Sequence, residues 1–101
     1  MTNLTSTQPK VVLKQTAEYR EGYANSIQVQ MSVWDFRLSF GTAHQDRADE
    51  ITINNFQSVY LSPQQAKTLW NMLGQNVLQY EQTFGHIALE PKAALPTGPV
   101  H

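Results

Sequence analysis

The chain has 101 residues, a formal net charge of −1 and no cysteine. This length accommodates one domain, and the lack of cysteine excludes disulfides and thiolate zinc sites. The seven basic residues are spread singly and no apolar run is long enough to span a bilayer. We therefore expect neither nucleic acid nor a membrane as a partner, and we expect a cytoplasmic location.

The two ends are poor in core-forming residues. Residues 1–10 are mostly polar, and residues 90–101 contain three of the five prolines. Such segments bury too little apolar surface to offset the entropy lost on ordering, so both are predicted to be disordered tails. The single domain is then residues 11–89. A domain of this size is marginally stable alone, and without disulfides association with another chain is the expected remedy.

Alternation of apolar and polar residues predicts the first strands. Val11–Leu13 is a candidate edge strand, and a clear strand is predicted over residues 26–33. Its apolar positions are Ile27, Val29, Met31 and Val33. From Trp34 onward the apolar residues occupy even positions, which one straight strand cannot accommodate. A hairpin at residues 32–35 is favoured over a bulge, with Asp35 accepting backbone N–H groups in the turn.

The second strand is predicted to end at Gly41, and the polar residues 42–50 are interpreted as a solvated loop. This loop contains the metal-type side chains His44, Asp46, Asp49 and Glu50. Their spacing fits no recognised metal site, so we expect no metal and no cofactor. Residues 51–61 are predicted to continue the sheet, with a turn or bulge at Asn54–Asn55. The sheet thus has three to five antiparallel strands.

The last predicted element is a long helix with clear ends. Ser62 supplies an N-cap, Pro63 suits the first helical position, and Gln65 completes a capping box. Gly85 supplies the stop. About 22 residues lie between these signals, which makes the helix about 33 Å long. The predicted fold class is α+β: a short antiparallel β-sheet of three to five strands followed by one long C-terminal α-helix.

One face of this helix carries apolar residues at alternating spacings of four and three, the pattern of a coiled-coil seam. This helix stripe consists of Ala66, Trp70, Leu73, Val77, Tyr80 and Phe84. A six-residue strand spans only about 20 Å, so one small sheet is too short to cover the stripe. Cover comes either from the chain's own sheet with Ile87 and Leu89 folding back, or from a second subunit, which we favour. The predicted oligomer interface is Trp70, Leu73, Val77, Tyr80 and Phe84.

Three polar residues are predicted to have structural roles. Asp35, between two aromatic residues, is interpreted as a turn cap, with pairing to Arg37 or an interface contact as alternatives. Asn25 is a similar case. Asn76 interrupts the apolar side of the helix, where a hydrogen bond across the seam would fix the register of an oligomer.

Two groups of residues resemble a known family. The first group is Tyr23-Ala24-Asn25, Trp34-Asp35-Phe36-Arg37-Leu38 and Phe40-Gly41. The second group is Leu61 to Lys67, then Leu69, Leu73, Asn76, Tyr80-Glu81 and Phe84-Gly85. Together, over residues 22–87, they resemble the bacterial and archaeal family catalogued as domain of unknown function 3467. The resemblance implies no established chemistry. The family usually has His where this chain has Gln65, so a ligand role for that position does not carry over.

The sequence suggests no nucleophile with a paired base and acid, no Gly-rich phosphate loop and no paired buried carboxylates, so we expect no catalytic activity. The predicted function is that of an uncharacterised homo-oligomeric interaction or structural module, most simply a dimer. Its expected partner is a second copy of itself, with another protein or an unfolded client as alternatives.

A chaperone-like holdase is the alternative function. The order of strands followed by a helix is similar to the layout of the SecB export chaperone, a likeness of topology only. Such a holdase would bind apolar peptide segments in a groove lined by Trp34, Phe36 and Tyr60.

Overall fold

The computed structural model describes residues 8–89. Within this range the chain forms three strands and one helix: β1 (Ser26–Met31), β2 (Phe36–Arg47), β3 (Glu50–Leu61) and α1 (Pro63–Phe84). The strands form one antiparallel sheet in the order β1-β2-β3. The α+β class, an antiparallel sheet followed by a C-terminal helix, is confirmed. Of the two predicted tails, residues 1–7 and 90–101 lie outside the described range.

The segment that leads into the sheet has no strand or helix over residues 8–25. The candidate edge strand at Val11–Leu13 does not form, and all three of its side chains are exposed. Three consecutive apolar residues lack the alternation that gives a strand one buried face, so nothing docks them against the sheet. Among residues 8–25, the backbone hydrogen bond to the sheet comes from Asn25, whose N–H donates to the Gly41 carbonyl at 3.1 Å.

The β1–β2 hairpin lies at the predicted position but is capped by a different side chain. Met31 pairs with Phe36, and the Ser32 N–H donates to the Asp35 carbonyl at 2.8 Å. The Ser32 hydroxyl accepts from the backbone N–H groups of Trp34 at 3.0 Å and of Asp35 at 3.2 Å. The Asp35 carboxylate instead accepts from that hydroxyl. The prediction that Asp35 caps the turn was wrong because a side chain at the start of a turn reaches the N–H groups that follow it.

The β2–β3 hairpin extends well beyond β1. β1 pairs only with residues 36–41, whereas β2 and β3 stay paired as far as Arg47 and Glu50. Residues 42–50, predicted as a loop, are therefore mostly strand, with a turn at Ala48–Asp49. This two-stranded part of the hairpin, here called the β2–β3 arm, is in contact with water on both faces, so polar side chains are tolerated on both. Its sequence therefore lacks the apolar–polar alternation that predicts a strand with one buried face.

A β-bulge lies in β3 at the level of Ser26, the first residue of β1, which pairs with Gly41 of β2. Gly41 pairs with Asn55, but the preceding residue of β2 pairs with Gln57, so Phe56 is an extra residue in β3. The predicted irregularity near Asn54–Asn55 is thus a bulge within a continuous strand. Gly41 is required at this point because a Cβ there would lie 2.6 Å from both the Asn54 carbonyl oxygen and Asn55 Oδ1.

One face of the sheet carries most of its apolar side chains, because directly paired residues share a face. The rows are Ile27 with Phe40, Val29 with Leu38 and Val59, and Met31 with Phe36 and Leu61. Leu38, at the centre, is 9% exposed and is the one buried apolar side chain among the described residues. The described chain therefore has an apolar sheet face but almost no core.

The helix α1 begins and ends where the sequence predicts. Ser62 has extended dihedral angles (φ −62°, ψ 157°), and its hydroxyl accepts from the Gln65 N–H at 3.2 Å. Pro63 is the first helical residue, so one residue connects β3 to α1. Gly85 has a φ of +117° and donates its N–H to the Glu81 carbonyl at 3.0 Å. A positive φ favours glycine, which explains the stop.

Candidate self-association surface

The helix stripe is exposed from Trp70 to Phe84, and Ala66 at its start is half-buried. Within the described chain, no residue of α1 is buried. Trp70 and Phe84 are 71% and 73% exposed, and Val77 between them is 40% exposed. Ile87 and Leu89 are themselves exposed. The chain's own sheet and the segment after the helix therefore leave the stripe uncovered.

The uncovered area is as large as a specific interface requires. Aromatic side chains bury about 150–250 Å² each, so the exposed fractions of Trp70, Tyr80 and Phe84 leave about 400 Å² per chain. Leu73 and Val77, which are about half exposed, raise this to roughly 550 Å². Two such surfaces in contact would bury about 1,100 Å², slightly above the ~1,000 Å² expected of a biological interface.

The aromatic residues at the end of the stripe contact each other. The ring centroids of Tyr80 and Phe84 lie 4.9 Å apart with an interplanar angle of 50°. Tilted rings at this separation attract each other. The two rings thus form one broad apolar patch on the last turn of α1.

The two charged residues of α1 lie at the ends that the helix dipole disfavours. Lys67 is near the N-terminus and Glu81 is in the last turn, whereas an anion is stabilised at an N-terminus and a cation at a C-terminus. Glu81 Oε2 accepts from the Ile87 N–H at 3.0 Å and lies 3.4 Å from His86 Nδ1. Both contacts use the same oxygen, which leaves Oε1 available. The stripe thus has a cation at one end and an anion at the other.

Sequence analysis missed a second line of residues beside the stripe. Lys67, Gly74 and Glu81 recur every seven residues and therefore lie along one edge of the stripe. A Cβ at Gly74 would meet no neighbouring side chain or segment of the described chain within 4 Å. Glycine in a helix interior costs about 1 kcal/mol relative to alanine, and nothing in the described chain requires it here. The mid-helix glycine itself was the available signal.

The two asparagines predicted as structural make different contacts. Asn25 Oδ1 accepts from the Ala43 N–H at 2.7 Å, and its Nδ2 donates to the Ala43 carbonyl at 3.3 Å. The side-chain amide thus pairs with β2 as one more strand residue would. Asn76 Nδ2 donates to the Met72 carbonyl at 2.8 Å within α1.

The residues predicted to line a client groove do not converge in the single chain. Trp34 lies in the β1–β2 turn. Phe36 pairs with Leu61 whereas Arg37 pairs with Tyr60, so Phe36 and Tyr60 lie on opposite faces of the sheet. Alternation within each strand shows which residues of that strand share a face. The pairing register between β2 and β3 is needed to show that Phe36 and Tyr60 lie on opposite faces of the sheet.

The β1–β2 turn is nevertheless an apolar patch. Met31, Val33 and Trp34, here called the hairpin tip, are each more than 70% exposed. Turns usually carry polar residues because they face water. The hairpin tip is therefore an exposed apolar surface separate from the helix stripe.

The acidic end of the β2–β3 hairpin contains only surface contacts. His44 Nε2 lies 3.4 Å from Asp46 Oδ1, and Arg47 Nε lies 3.5 Å from Glu50 Oε1, with all four side chains exposed. Such pairs contribute little to stability. Among residues 8–89, no three His, Asp or Glu side chains come together in a way that could hold a metal ion. Over the same residues, the helix is not apolar enough to cross a membrane.

Together these features define a class of protein: a small α+β domain in which a three-stranded antiparallel meander presents an outward-facing amphipathic C-terminal helix. Residues 1–89 match the family described as Protein of unknown function (DUF3467), and the chain belongs to that family. The resemblance found in the sequence is thereby confirmed. No curated protein and no solved structure matches the chain.

Proposed function

We propose that this protein is a non-catalytic, self-associating module in which two copies bury the helix stripe. The observation that carries the proposal is a helix of 22 residues with an apolar face and, within the described chain, no buried residue. Monomeric proteins rarely expose a continuous apolar surface of this size. The second copy is favoured as the occupant because the doubled area of the stripe reaches the size of a stable interface.

Association would supply stability that the single chain lacks. Burying a large apolar side chain stabilises a protein by about 1.5–3 kcal/mol. Covering Trp70, Leu73, Val77, Tyr80 and Phe84, which are 40–73% exposed, would contribute on the order of 5 kcal/mol per chain. A small domain has a total stability of only about 5–15 kcal/mol, so folding and association are coupled.

The proposal includes no catalytic step, no cofactor and a cytoplasmic location. The absence of a catalytic step is supported by the exposure of His44, Asp46 and Glu50 at the end of the β2–β3 hairpin, where these side chains are in contact with water. A catalytic acid or base needs a fixed and partly enclosed position. The cysteine-free composition is compatible with the cytoplasm.

The first test places charges in the stripe. Replacing both Leu73 and Val77 with aspartate should convert a dimer of twice 11.4 kDa into a monomer or an unfolded chain, because buried carboxylates cannot be solvated. The measurement is sedimentation equilibrium at micromolar concentration. A matched control replaces Gln75 and Gln79 with aspartate, since these two lie four residues apart on the opposite side of α1.

The control variant is expected to keep the dimeric mass. A wild-type protein that sediments as a single chain would contradict the proposal. So would a well-folded Leu73→Asp, Val77→Asp variant whose mass is unchanged.

A chaperone-like holdase is the second candidate function, and the exposed hairpin tip favours it. Met31, Val33 and Trp34 offer an apolar contact that the helix dimer leaves uncovered. In this case the native dimer should bind a hydrophobic dye and slow the aggregation of a denatured client, and Val33→Ser with Trp34→Ser should abolish both effects. Weak dye binding that these substitutions do not change would favour the purely structural module.

A further inference from the structure

We propose that the two copies pair with α1 antiparallel to α1, related by a two-fold axis beside Gly74. This inference rests on the proposed self-association and specifies its geometry. It is carried by three independent features of the helix: the spacing of the stripe, the positions of the two charges, and the open space at Gly74. The occupant of the helix stripe is a second copy of this chain.

The stripe fits a reversed copy of itself. Spacings of four, three, four, three and four read the same in both directions, so an antiparallel helix can place every stripe residue opposite another. Ala66 then faces Phe84 of the second copy, and Leu73 faces Val77. The smallest residue of the stripe thus lies opposite one of the largest, which lets the aromatic ends fit.

The charges favour the antiparallel direction over the parallel one. Lys67 and Glu81 lie seven residues on either side of Gly74, on the same edge of the stripe. An axis beside Gly74 therefore brings Lys67 next to Glu81 of the second copy, twice per dimer, and Glu81 Oε1 is available as the acceptor. In a parallel pair the edges that carry Lys67 and Glu81 would lie on opposite sides of the interface, so neither charge would meet a charge of the second copy.

The same direction explains why both charges oppose the dipole of their own helix. In the antiparallel pair, Lys67 lies beside the C-terminal turn of the second helix, and Glu81 lies beside its second turn. A cation is stabilised near a helix C-terminus and an anion near an N-terminus. Each charge therefore meets the end of the neighbouring helix that suits it.

Gly74 is accounted for by its place next to the axis. There it lies opposite Gly74 of the second copy, and the absence of two Cβ atoms allows the helix backbones to approach closely. No other part of the described chain fills this space. Asn76, on the opposite edge of the stripe, lies near its own counterpart, where Oδ1 can accept a hydrogen bond across the pair.

Crosslinking between introduced cysteines tests this geometry directly, because the chain contains no other cysteine. The variants are Lys67→Cys, Glu81→Cys and the double variant, each treated with a short thiol-to-thiol crosslinker and run on a denaturing gel. At 1.5 Å per residue, two copies of position 67 lie about 24 Å apart along the helix axis in the antiparallel pair. Position 67 of one chain and position 81 of the other are offset by only about 3 Å along this axis.

We expect a covalent dimer from the double variant and from an equal mixture of the two single variants, and none from either single variant alone. Gln75→Cys, on the outer side of α1, is a matched control that should not crosslink. Sedimentation of each variant before crosslinking shows whether the dimer is intact.

The possible failures are distinguishable. A dimer in which no variant crosslinks, the result expected of a parallel pair, would overturn this inference, while the proposed self-association would stand. A dimer in which either single variant crosslinks with itself would overturn the register. A monomeric wild-type protein would overturn both the proposed function and this geometry.

Discussion

At Gly41 the backbone of β2 passes so close to β3 that only glycine fits. The position of a Cβ would be 2.6 Å from the Asn54 carbonyl oxygen, and that backbone atom cannot move without breaking the strand pairing. We predict that Gly41→Ala destabilises the protein by about 1–3 kcal/mol, the usual cost of overpacking. Urea unfolding followed by circular dichroism measures this change.

Gly22 provides the control for this prediction. A Cβ there would lie 3.5 Å from the Phe56 ring, which is an ordinary contact. Gly22→Ala should therefore leave the urea midpoint nearly unchanged. Equal midpoints for the two variants would show that the bulge relaxes to accept a methyl group at Gly41.

Asn25 illustrates how far residue-level prediction extends. An asparagine just before a strand is identifiable as a structural polar residue, but its partner is Ala43, 18 residues away. Sequence alone does not contain that distance, because it is set by the register of β1 on β2. Ser32 differs, since the N–H groups that it caps follow immediately in the chain.

At the level of the helix, the change in thermal stability caused by Gly74→Ala distinguishes an exposed glycine from one at a helix–helix contact. In an isolated helix alanine is better than glycine by about 1 kcal/mol, so a merely exposed Gly74 would make this substitution stabilising. If two helices approach each other there, the added methyl groups separate them and weaken the dimer. We predict a lower thermal midpoint for Gly74→Ala, measured at fixed protein concentration.

Gln75→Ala is the matched control for the helix prediction. It changes helix propensity little and lies away from the stripe, so it should not lower the midpoint. A Gly74→Ala variant that is more stable than the wild type would contradict the close approach.

The elements differ in how well the sequence predicts them, and the reason is the range of the interactions that form them. The ends of α1 are predictable because Ser62, Pro63 and Gly85 act on neighbouring residues. The β2–β3 arm was missed because residues 42–50 are polar on both faces, so the alternation that marks a half-buried strand is absent. Pairing with the facing strand alone holds them extended.

The candidate surface was also predicted only in part. The stripe is visible as periodicity, and its members were identified from the sequence. What covers it is not visible, because periodicity shows that a face is apolar and says nothing about the surface it meets. Lys67, Gly74 and Glu81 were overlooked because each is unremarkable alone and only their common spacing of seven places them on one edge.

For the molecule as a whole, the proposed coupling between folding and association would make stability depend on protein concentration. Among the described residues only Leu38 is a buried apolar side chain, so a separated chain retains little of the interior that holds a domain together. A tenfold rise in protein concentration should stabilise the dimer by about 1.4 kcal/mol. We predict a thermal midpoint that rises steadily between 1 and 100 micromolar, a range of about two decades chosen from this relation.

The Leu73→Asp, Val77→Asp variant serves as the reference for this measurement. If it retains any cooperative transition, the midpoint should not change with concentration. A wild-type midpoint that is independent of concentration would show that the single chain is stable alone.

A single residue, Ser62, connects β3 to α1, so a small change in its backbone conformation moves the far end of the helix by a large distance. Two dihedral angles at Ser62 set the direction of α1, and the proline that follows restricts them to the extended region. Because α1 is about 33 Å long, a rotation of about 10° at Ser62 would displace its far end by about 6 Å. The direction of α1 is therefore set largely by the backbone conformation of Ser62. A small change in these two dihedral angles would be enough to align the helices of two copies.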